Sequence, residues 1–136
     1  MRLVAVLIAL FFVAPALADG SSRPHGMGGA FRDYAPIIAR YNKSGERFRI
    51  EGRCQSSCTL FLGIRNVCVD PDARLFFHAG LDRRNRISAA STAYMLRHYN
   101  AKLRAYLADN HAMEKSSFFA ISGRDMISKF GYRACR

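Results

Sequence analysis

The sequence is short of acidic residues and of long apolar runs. It has only 10 Asp and Glu against 21 Lys and Arg, which gives a formal net charge of +11. The longest apolar run, residues 3–13, ends before Pro15 and is shorter than the roughly 20 residues that a membrane-spanning helix needs. There is no internal repeat and no low-complexity segment, which excludes solenoid and collagen-like architectures. We therefore expect one globular domain without a transmembrane anchor.

The first 18 residues have the pattern of a secretory signal peptide. Arg2 supplies a short basic region, the apolar run follows it, and residues 16–18 (Ala-Leu-Ala) supply the small side chains that signal peptidase requires. We expect cleavage before Asp19 and a periplasmic or secreted protein. The remaining residues, 19–136, are enough for a single small domain with a modest core.

The excess of positive charge favours anionic partners. Because an exported protein rarely meets nucleic acid, we expect an anionic component of the cell envelope instead. A simpler reading is an arginine-rich surface that keeps the protein soluble. The densest basic cluster, LDRRNR at 81–86, lies between an apolar strand pattern and a helix, which predicts an exposed loop able to contact a substrate.

Four cysteines in an exported chain predict two disulfides. Of the three possible pairings, Cys54 with Cys68 and Cys58 with Cys135 is favoured, because a parallel crossover would place the strands that carry Cys54 and Cys68 side by side. A bridge from Cys58 to Cys68 is the main rival. A zinc site formed by three of the cysteines and His78 is disfavoured, because the spacing matches no common finger and export disfavours free thiolates. We expect neither a metal nor another cofactor.

The apolar spacing alternates between helical and strand patterns. It predicts helices over 30–45, 56–64, 88–110 and 122–131, and strands over 47–52, 66–69, 74–79 and 132–135. Such an alternation is typical of a small α/β domain with a mainly parallel sheet and flanking helices. Sites in these sheets form beyond the carboxyl ends of strands, so the EGRCQSS and FHAG turns should meet at one edge.

Three segments, GMGG (26–29), GRCQSSCTLFLG (52–63) and CVDPDARLFFH (68–78), resemble the Clp-protease/crotonase superfamily. The resemblance implies a Clp/crotonase-like fold, a Gly-Gly turn that supplies oxyanion-hole amides, a nucleophilic serine in a G-x-x-x-S turn that opens a helix, and a histidine delivered by an apolar strand. With FHAG and GRDMISKFGYRAC, the chain is similar more narrowly to a group of exported bacterial proteins that share this Clp-like core.

The resemblance selects Ser56 as the nucleophile and His78 as the general base, with the amides of Gly29 and Ser57 as the oxyanion hole. The physical logic agrees, because a serine hydroxyl needs a base to take its proton. The start of a helix also offers free amides to a developing oxyanion. The third, acidic member is not clearly marked. Asp125 is the candidate we name, although it is equally explained as a first-turn residue that complements the dipole of its own helix.

Two functions therefore compete. The leading prediction is a serine hydrolase that cleaves a peptide or acyl bond. The alternative is a non-catalytic binding or structural domain whose basic surface holds an anionic partner. The coexistence of the Gly-Gly turn, Ser56 and His78 favours the enzyme. The uncertain acid, for which Glu114 and Asp109 are further candidates, favours the alternative.

Overall fold

The computed structural model describes residues 18–136, so all but the last residue of the predicted signal peptide lies outside the described residues. Over 18–136 we find no helix whose length and apolar character would let it cross a membrane. The elements in chain order are β1 (Gly20–Ser21), a 3₁₀ turn (Arg23–His25), α1 (Phe31–Ser44), β2 (Phe48–Ile50), β3 (Arg53–Gln55), a second 3₁₀ helix (Ser56–Gly63), β4 (Val67–Val69), β5 (Arg74–Phe77), α2 (Ala89–Leu96), α3 (Ala101–Asp109), β6 (Phe119–Ser122) and α4 (Gly123–Ser128).

The strands form two small sheets. In the first sheet β2 pairs in parallel with β1 and with β4, and in the second β5 pairs in parallel with β3 and antiparallel with β6. The chain changes sheet at Gly52, whose φ of +64° is a conformation that glycine adopts without a steric penalty. The predicted mixed α/β class is confirmed, and three of the four pairings are parallel. The division into two sheets was not predicted, because it depends on the path of the chain between β2 and β3, which the strand patterns themselves do not report.

The second 3₁₀ helix, called the Ser56 helix below, forms the centre of the core. Every residue from Ser57 to Leu62 is buried, and α1, α2 and strands of both sheets pack against it. Its one buried hydroxyl beyond the first turn belongs to Thr59, which donates to the Ser56 carbonyl at 2.7 Å. The Thr59 oxygen then accepts from the Tyr99 hydroxyl at 2.6 Å. The Thr59 hydroxyl, in the middle of the core, therefore both donates and accepts a hydrogen bond.

Two predicted helices are confirmed, α1 with both of its ends and α4 with its start. Helix α4 ends at Ser128, three residues before the predicted stop at Gly131. Helix α1 buries Tyr34, Ile38 and Tyr41 on one face and ends at Gly45, which is left-handed with φ of +73°. Helix α4 begins after Ser122, whose hydroxyl accepts from the Asp125 amide at 3.1 Å. In both cases the capping residue was visible in the sequence.

The predicted long helix over 88–110 is wrong in one respect, because it is two helices, α2 and α3. Asn100 separates them: its side-chain oxygen accepts from the Leu103 amide at 2.9 Å and so caps α3. Its side-chain nitrogen donates to the Phe130 carbonyl, and its own amide donates to the Tyr132 hydroxyl. The break is therefore fixed by contacts with the C-terminal segment, which local apolar spacing does not report.

The disulfides join Cys54 to Cys58 and Cys68 to Cys135. The predicted pairing of Cys54 with Cys68 and Cys58 with Cys135 is therefore wrong, and so is the rival bridge from Cys58 to Cys68. The reason is the change of sheet at Gly52, because Cys54 lies in β3 of the second sheet while Cys68 lies in β4 of the first. With all four sulfur atoms in disulfides, the alternative zinc site has no thiolate ligands.

Backbone geometry explains each observed bridge. The turn through Ser56 brings the Cα atoms of Cys54 and Cys58 to 5.2 Å, within the range of natural disulfides. The C-terminal segment runs beside β4, where Val69 bridges to Ala134 and the Cys135 amide donates to the Val69 carbonyl at 3.0 Å. The second disulfide therefore fastens the C-terminal end to the edge of the first sheet.

Tryptic mapping without reduction distinguishes the observed pairing from both others. Cleavage after Arg53, Arg65, Arg74 and Arg133 releases peptides 54–65, 66–74 and 134–136. We expect 54–65 alone with an internal bridge, and 66–74 linked to 134–136. Either other pairing would join all three peptides into one species, so that species would contradict the structure. A reduced and alkylated sample is the control.

Candidate active site

Four of the predicted site residues line one cleft of about 660 Å³, called the Ser56 cleft below: Gly29, Ser56, Ser57 and His78. Ser56 directly follows β3, and His78 directly follows β5. Because these two strands pair in parallel, their carboxyl ends lie at the same edge of the second sheet. The expected meeting of the two turns is thus observed. The residues that line the cleft are Gly29, Ala30, Phe31, Arg32, Ser56, Ser57, His78, Gly80, Leu81, Asp82, Arg83, Asn85 and Met95.

Ser56 has an unusual backbone. Its φ is +54°, a left-handed conformation that is rare for residues other than glycine, asparagine and aspartate. The cap position of the helix is Gln55, and the Ser56 hydroxyl makes no hydrogen bond to any residue of 18–136. A plain helix-capping role therefore does not explain this serine. Its hydroxyl is left for a ligand or for water.

The Gly-Gly turn packs directly on Ser56. A Cβ atom at Gly28, where φ is +81°, would lie 2.9 Å from the Ser56 Cβ and 3.4 Å from its Oγ. Ser57, itself buried, donates its hydroxyl to the Gly29 carbonyl at 2.5 Å. This bond ties the turn to the first residues of the Ser56 helix. Any side chain at Gly28 would push the turn away from Ser56.

Several backbone N–H groups at this edge of the second sheet have no hydrogen-bond acceptor among the described residues. The Gly29 amide donates to no acceptor within 18–136, and Ser57 is the second residue of its helix, where an amide has no partner within the helix. The first turn of α1 also lines the cleft, and Ala30 at its cap position supplies no capping side chain. Free amides from two helix starts therefore favour negative charge in the cleft.

His78 is buried, with 6 % of its surface exposed. Its Nδ1 atom has no hydrogen-bond partner among the described residues, which costs roughly 1–3 kcal/mol. Burial lowers the pKa of His78 below its ordinary value, and the neighbouring Ala79 backbone offsets part of this effect. The Phe118 ring packs edge-on against the imidazole, with centroids 5.3 Å apart. Burial therefore favours the neutral imidazole, which is the form that a general base needs.

The structure does not bring Asp125 to the cleft. It lies in α4, where its carboxylate pairs with Lys129 Nζ at 3.2 Å, and it does not belong to the cleft lining. Its first-turn position favours the structural role. Glu114 pairs with His111 Nδ1 at 3.1 Å, and Asp109 ends α3 without lining the cleft. None of the three acids named from the sequence accompanies His78.

The turn after His78 is held by α2. A Cβ at Gly80 would lie 2.3 Å from the Ser91 backbone, so only glycine permits this approach. The Gly80 amide donates to the Thr92 hydroxyl at 2.8 Å, and its carbonyl accepts from the Ser88 amide at 2.8 Å. The FHAG motif therefore fixes the end of β5, and with it the position of His78.

Sequence reasoning missed part of the cleft. The loop over 81–86 was predicted to be exposed and near the substrate, and four of its residues do line the cleft. Arg32, Phe31 and Met95 were not singled out. For Arg32 the available signal was its place two residues into a helix that starts directly after the Gly-Gly turn. For Met95, which lies on α2, local spacing gave no signal.

Comparison with known families adds no assignment. No protein-family model matches the chain, and no curated protein matches it in sequence. The resemblance carried by GMGG, GRCQSSCT and FHAG therefore stays a prediction. The chemistry of the site rests on its own geometry.

We expect Gly28→Ala to destabilise the protein more than Gly45→Ala does. Both glycines have a positive φ, which costs an alanine about 1–2 kcal/mol. At Gly45 a Cβ meets nothing within 4 Å, whereas at Gly28 it collides with Ser56. Urea unfolding should therefore show an additional loss of at least about 1 kcal/mol for Gly28→Ala. Equal losses would mean that the turn does not press on Ser56.

Proposed function

We propose that the protein is an exported serine hydrolase that cleaves a peptide or acyl bond, with Ser56 as the nucleophile and His78 as the general base. The observation that carries the proposal is a strained serine with an unused hydroxyl in the same cleft as a buried histidine, whose pKa burial lowers. Strained non-glycine residues persist only where the surrounding structure holds them, and they cluster at active sites. Export to the periplasm or outside the cell agrees with two disulfides.

The reaction has two halves. In the first half, His78 takes the Ser56 hydroxyl proton while Oγ bonds to the substrate carbonyl carbon, whose π electrons move onto its oxygen. The tetrahedral intermediate then expels the leaving group, which receives the proton from His78. In the second half, water attacks the acyl-enzyme and gives its proton to His78, and the acid product leaves as the proton returns to Ser56. No further reactant is needed.

The oxyanion hole in this proposal consists of the Gly29 and Ser57 amides. The bond from the Ser57 hydroxyl to the Gly29 carbonyl supports this assignment, because it fixes the two residues to each other. Donors that are fixed before the reaction stabilise developing charge without reorganisation, and each is worth about 3–4 kcal/mol of transition-state stabilisation. The N-terminal dipole of the Ser56 helix adds to the effect.

We extend the proposal to a Clp/crotonase-like fold. The chain order of Gly-Gly turn, serine turn and histidine strand supports it, as does the parallel pairing of β3 with β5. The clearest departure from that superfamily is the acid, because Asp125 pairs with Lys129 instead of serving His78. In a triad the carboxylate orients the histidine and stabilises its protonated form. None of the three candidate acids does this for His78, and burial favours its neutral form.

One observation favours the second candidate, a non-catalytic binding domain that holds an anionic partner. His78 Nδ1, the atom that an acid would orient, has no partner among residues 18–136. In that case the strained turn and free amides would serve to bind a ligand without chemistry. Covalent trapping of Ser56 distinguishes the two candidates.

A fluorophosphonate probe should label the folded protein at Ser56. The label should appear on tryptic peptide 54–65 and vanish in Ser56→Ala, while Ser128→Ala, an exposed serine of α4, serves as the control. His78→Gln should slow labelling at least about 100-fold, because the base is lost. Folded wild-type protein that takes up no label would leave the binding domain as the function.

The rate of labelling should rise with pH through an apparent pKa below 6.5. Only neutral His78 accepts the Ser56 proton, and burial lowers the pKa of His78, so the base is already active at pH values where an exposed histidine is protonated. Phe118→Ala removes the ring that covers the imidazole and should move the midpoint upward. A wild-type midpoint at or above 6.5, in protein that circular dichroism shows to be folded, would contradict this assignment.

A further inference from the structure

Two arginines stand on the rim of the Ser56 cleft and are called the rim arginines below. Arg32 lies in the first turn of α1, and Arg83 lies in the loop between β5 and α2; both line the cleft and are exposed. Arg83 makes no ion pair within residues 18–136. Arg32 has only a 3.9 Å contact with Asp33, and both of those side chains are largely exposed, so that pair is weak.

The one acid that lines the cleft, Asp82, already has an arginine partner in its own loop. Its carboxylate accepts hydrogen bonds from the amides of Arg84 and Arg86 at 2.8 and 3.0 Å and from the Arg86 guanidinium at 2.9 Å. These bonds hold the pKa of Asp82 below its ordinary value, and the bond from the Arg86 backbone amide has the largest effect. Its negative charge is therefore paired within the loop over 81–86. Among the residues that line the cleft, the rim arginines therefore remain as the charged side chains without a strong ion pair.

The other residues that line the cleft carry charge of the same sign or none, and the nearest further acid, Asp33 in the first turn of α1, is the weak partner of Arg32. The free amides at the start of α1 add positive potential, and burial favours the neutral form of His78. Phe31, Leu81 and Met95 supply apolar walls. A concave site with charge of one sign concentrates ligands of the opposite sign. Guanidinium groups match carboxylates in geometry and bind them through two parallel hydrogen bonds.

We infer that the substrate carries a carboxylate close to the scissile bond and that the rim arginines select for it. The inference rests on the proposed hydrolase function and adds the class of substrate. The carboxylate can belong to the acyl part or to the leaving group. Either position suits the rim arginines, because they lie on separate elements of the cleft wall.

Two matched pairs of esters test the inference and separate these sources. The acyl-side pair is the 4-nitrophenyl monoester of adipate and its methyl-capped counterpart. The leaving-group pair is 3-carboxy-4-nitrophenyl butyrate and 4-nitrophenyl butyrate. We expect kcat/KM to be about tenfold higher for the charged member of at least one pair, since a charged hydrogen bond contributes about that factor. The advantage should shrink in 0.5 M salt, where the Debye length falls to a few ångströms.

The variants R32Q and R83Q should each lower the charged-to-neutral ratio toward one. The matched control is R84Q, which changes a neighbouring exposed arginine of the same loop that does not line the cleft. A ratio near one in the wild type, or a ratio unchanged in both rim variants, overturns the inference. Fluorophosphonate labelling of Ser56 in the same wild-type sample keeps the two proposals apart. Labelling without charge preference defeats only the substrate class, and absence of labelling defeats the hydrolase and the substrate class together.

Discussion

Burial of the Ser56 helix is the constraint on which the rest of the structure depends. A 3₁₀ helix has poorer hydrogen-bond geometry than an α-helix and is seldom this long, so its stability must come from packing. Leu60, Phe61 and Leu62 are each at most 5 % exposed, and burial of each such side chain contributes about 1.5–3 kcal/mol. Helices α1 and α2 and strands of both sheets supply the surrounding surface. The first residue of this helix, Ser56, is thereby held at the edge of the core.

A disulfide and a close backbone contact hold the strained turn at Ser56. The disulfide between Cys54 and Cys58 encloses it, and both cysteines are fully buried. In the chain-entropy model a bridge over so short a loop contributes about 2 kcal/mol, which is similar to the cost of one left-handed non-glycine residue. Gly28 closes the turn from the other side. The conformation of the serine is thus imposed by its surroundings, and relaxing it would require the core to open.

The parts of the fold that local chemistry determines were predictable. The helix ending at Gly45 and the cap at Ser122 could be predicted because the signal lies within a few residues of the feature. The two-residue strand β1 and the antiparallel strand β6 could not, because their partners lie far along the chain and their own patterns are too short. The disulfide pairing failed for the same reason. It depended on which sheet each strand joins, and the pattern of a single strand does not report that.

The site residues that could be predicted are those that stand at the end of a strand or the start of a helix. Ser56, His78 and the Gly-Gly turn meet because parallel strands carry their carboxyl ends to one edge. Of the charged rim, the basic loop that carries Arg83 was predicted to contact a substrate, whereas Arg32 was not singled out, although each rim arginine is close in sequence to a site residue. Arg32 follows Gly29 by three positions, and Arg83 follows His78 by five. The turns that position the hydroxyl, the base and the amides therefore also position the cationic rim, so a change in either turn would alter catalysis and substrate selection together.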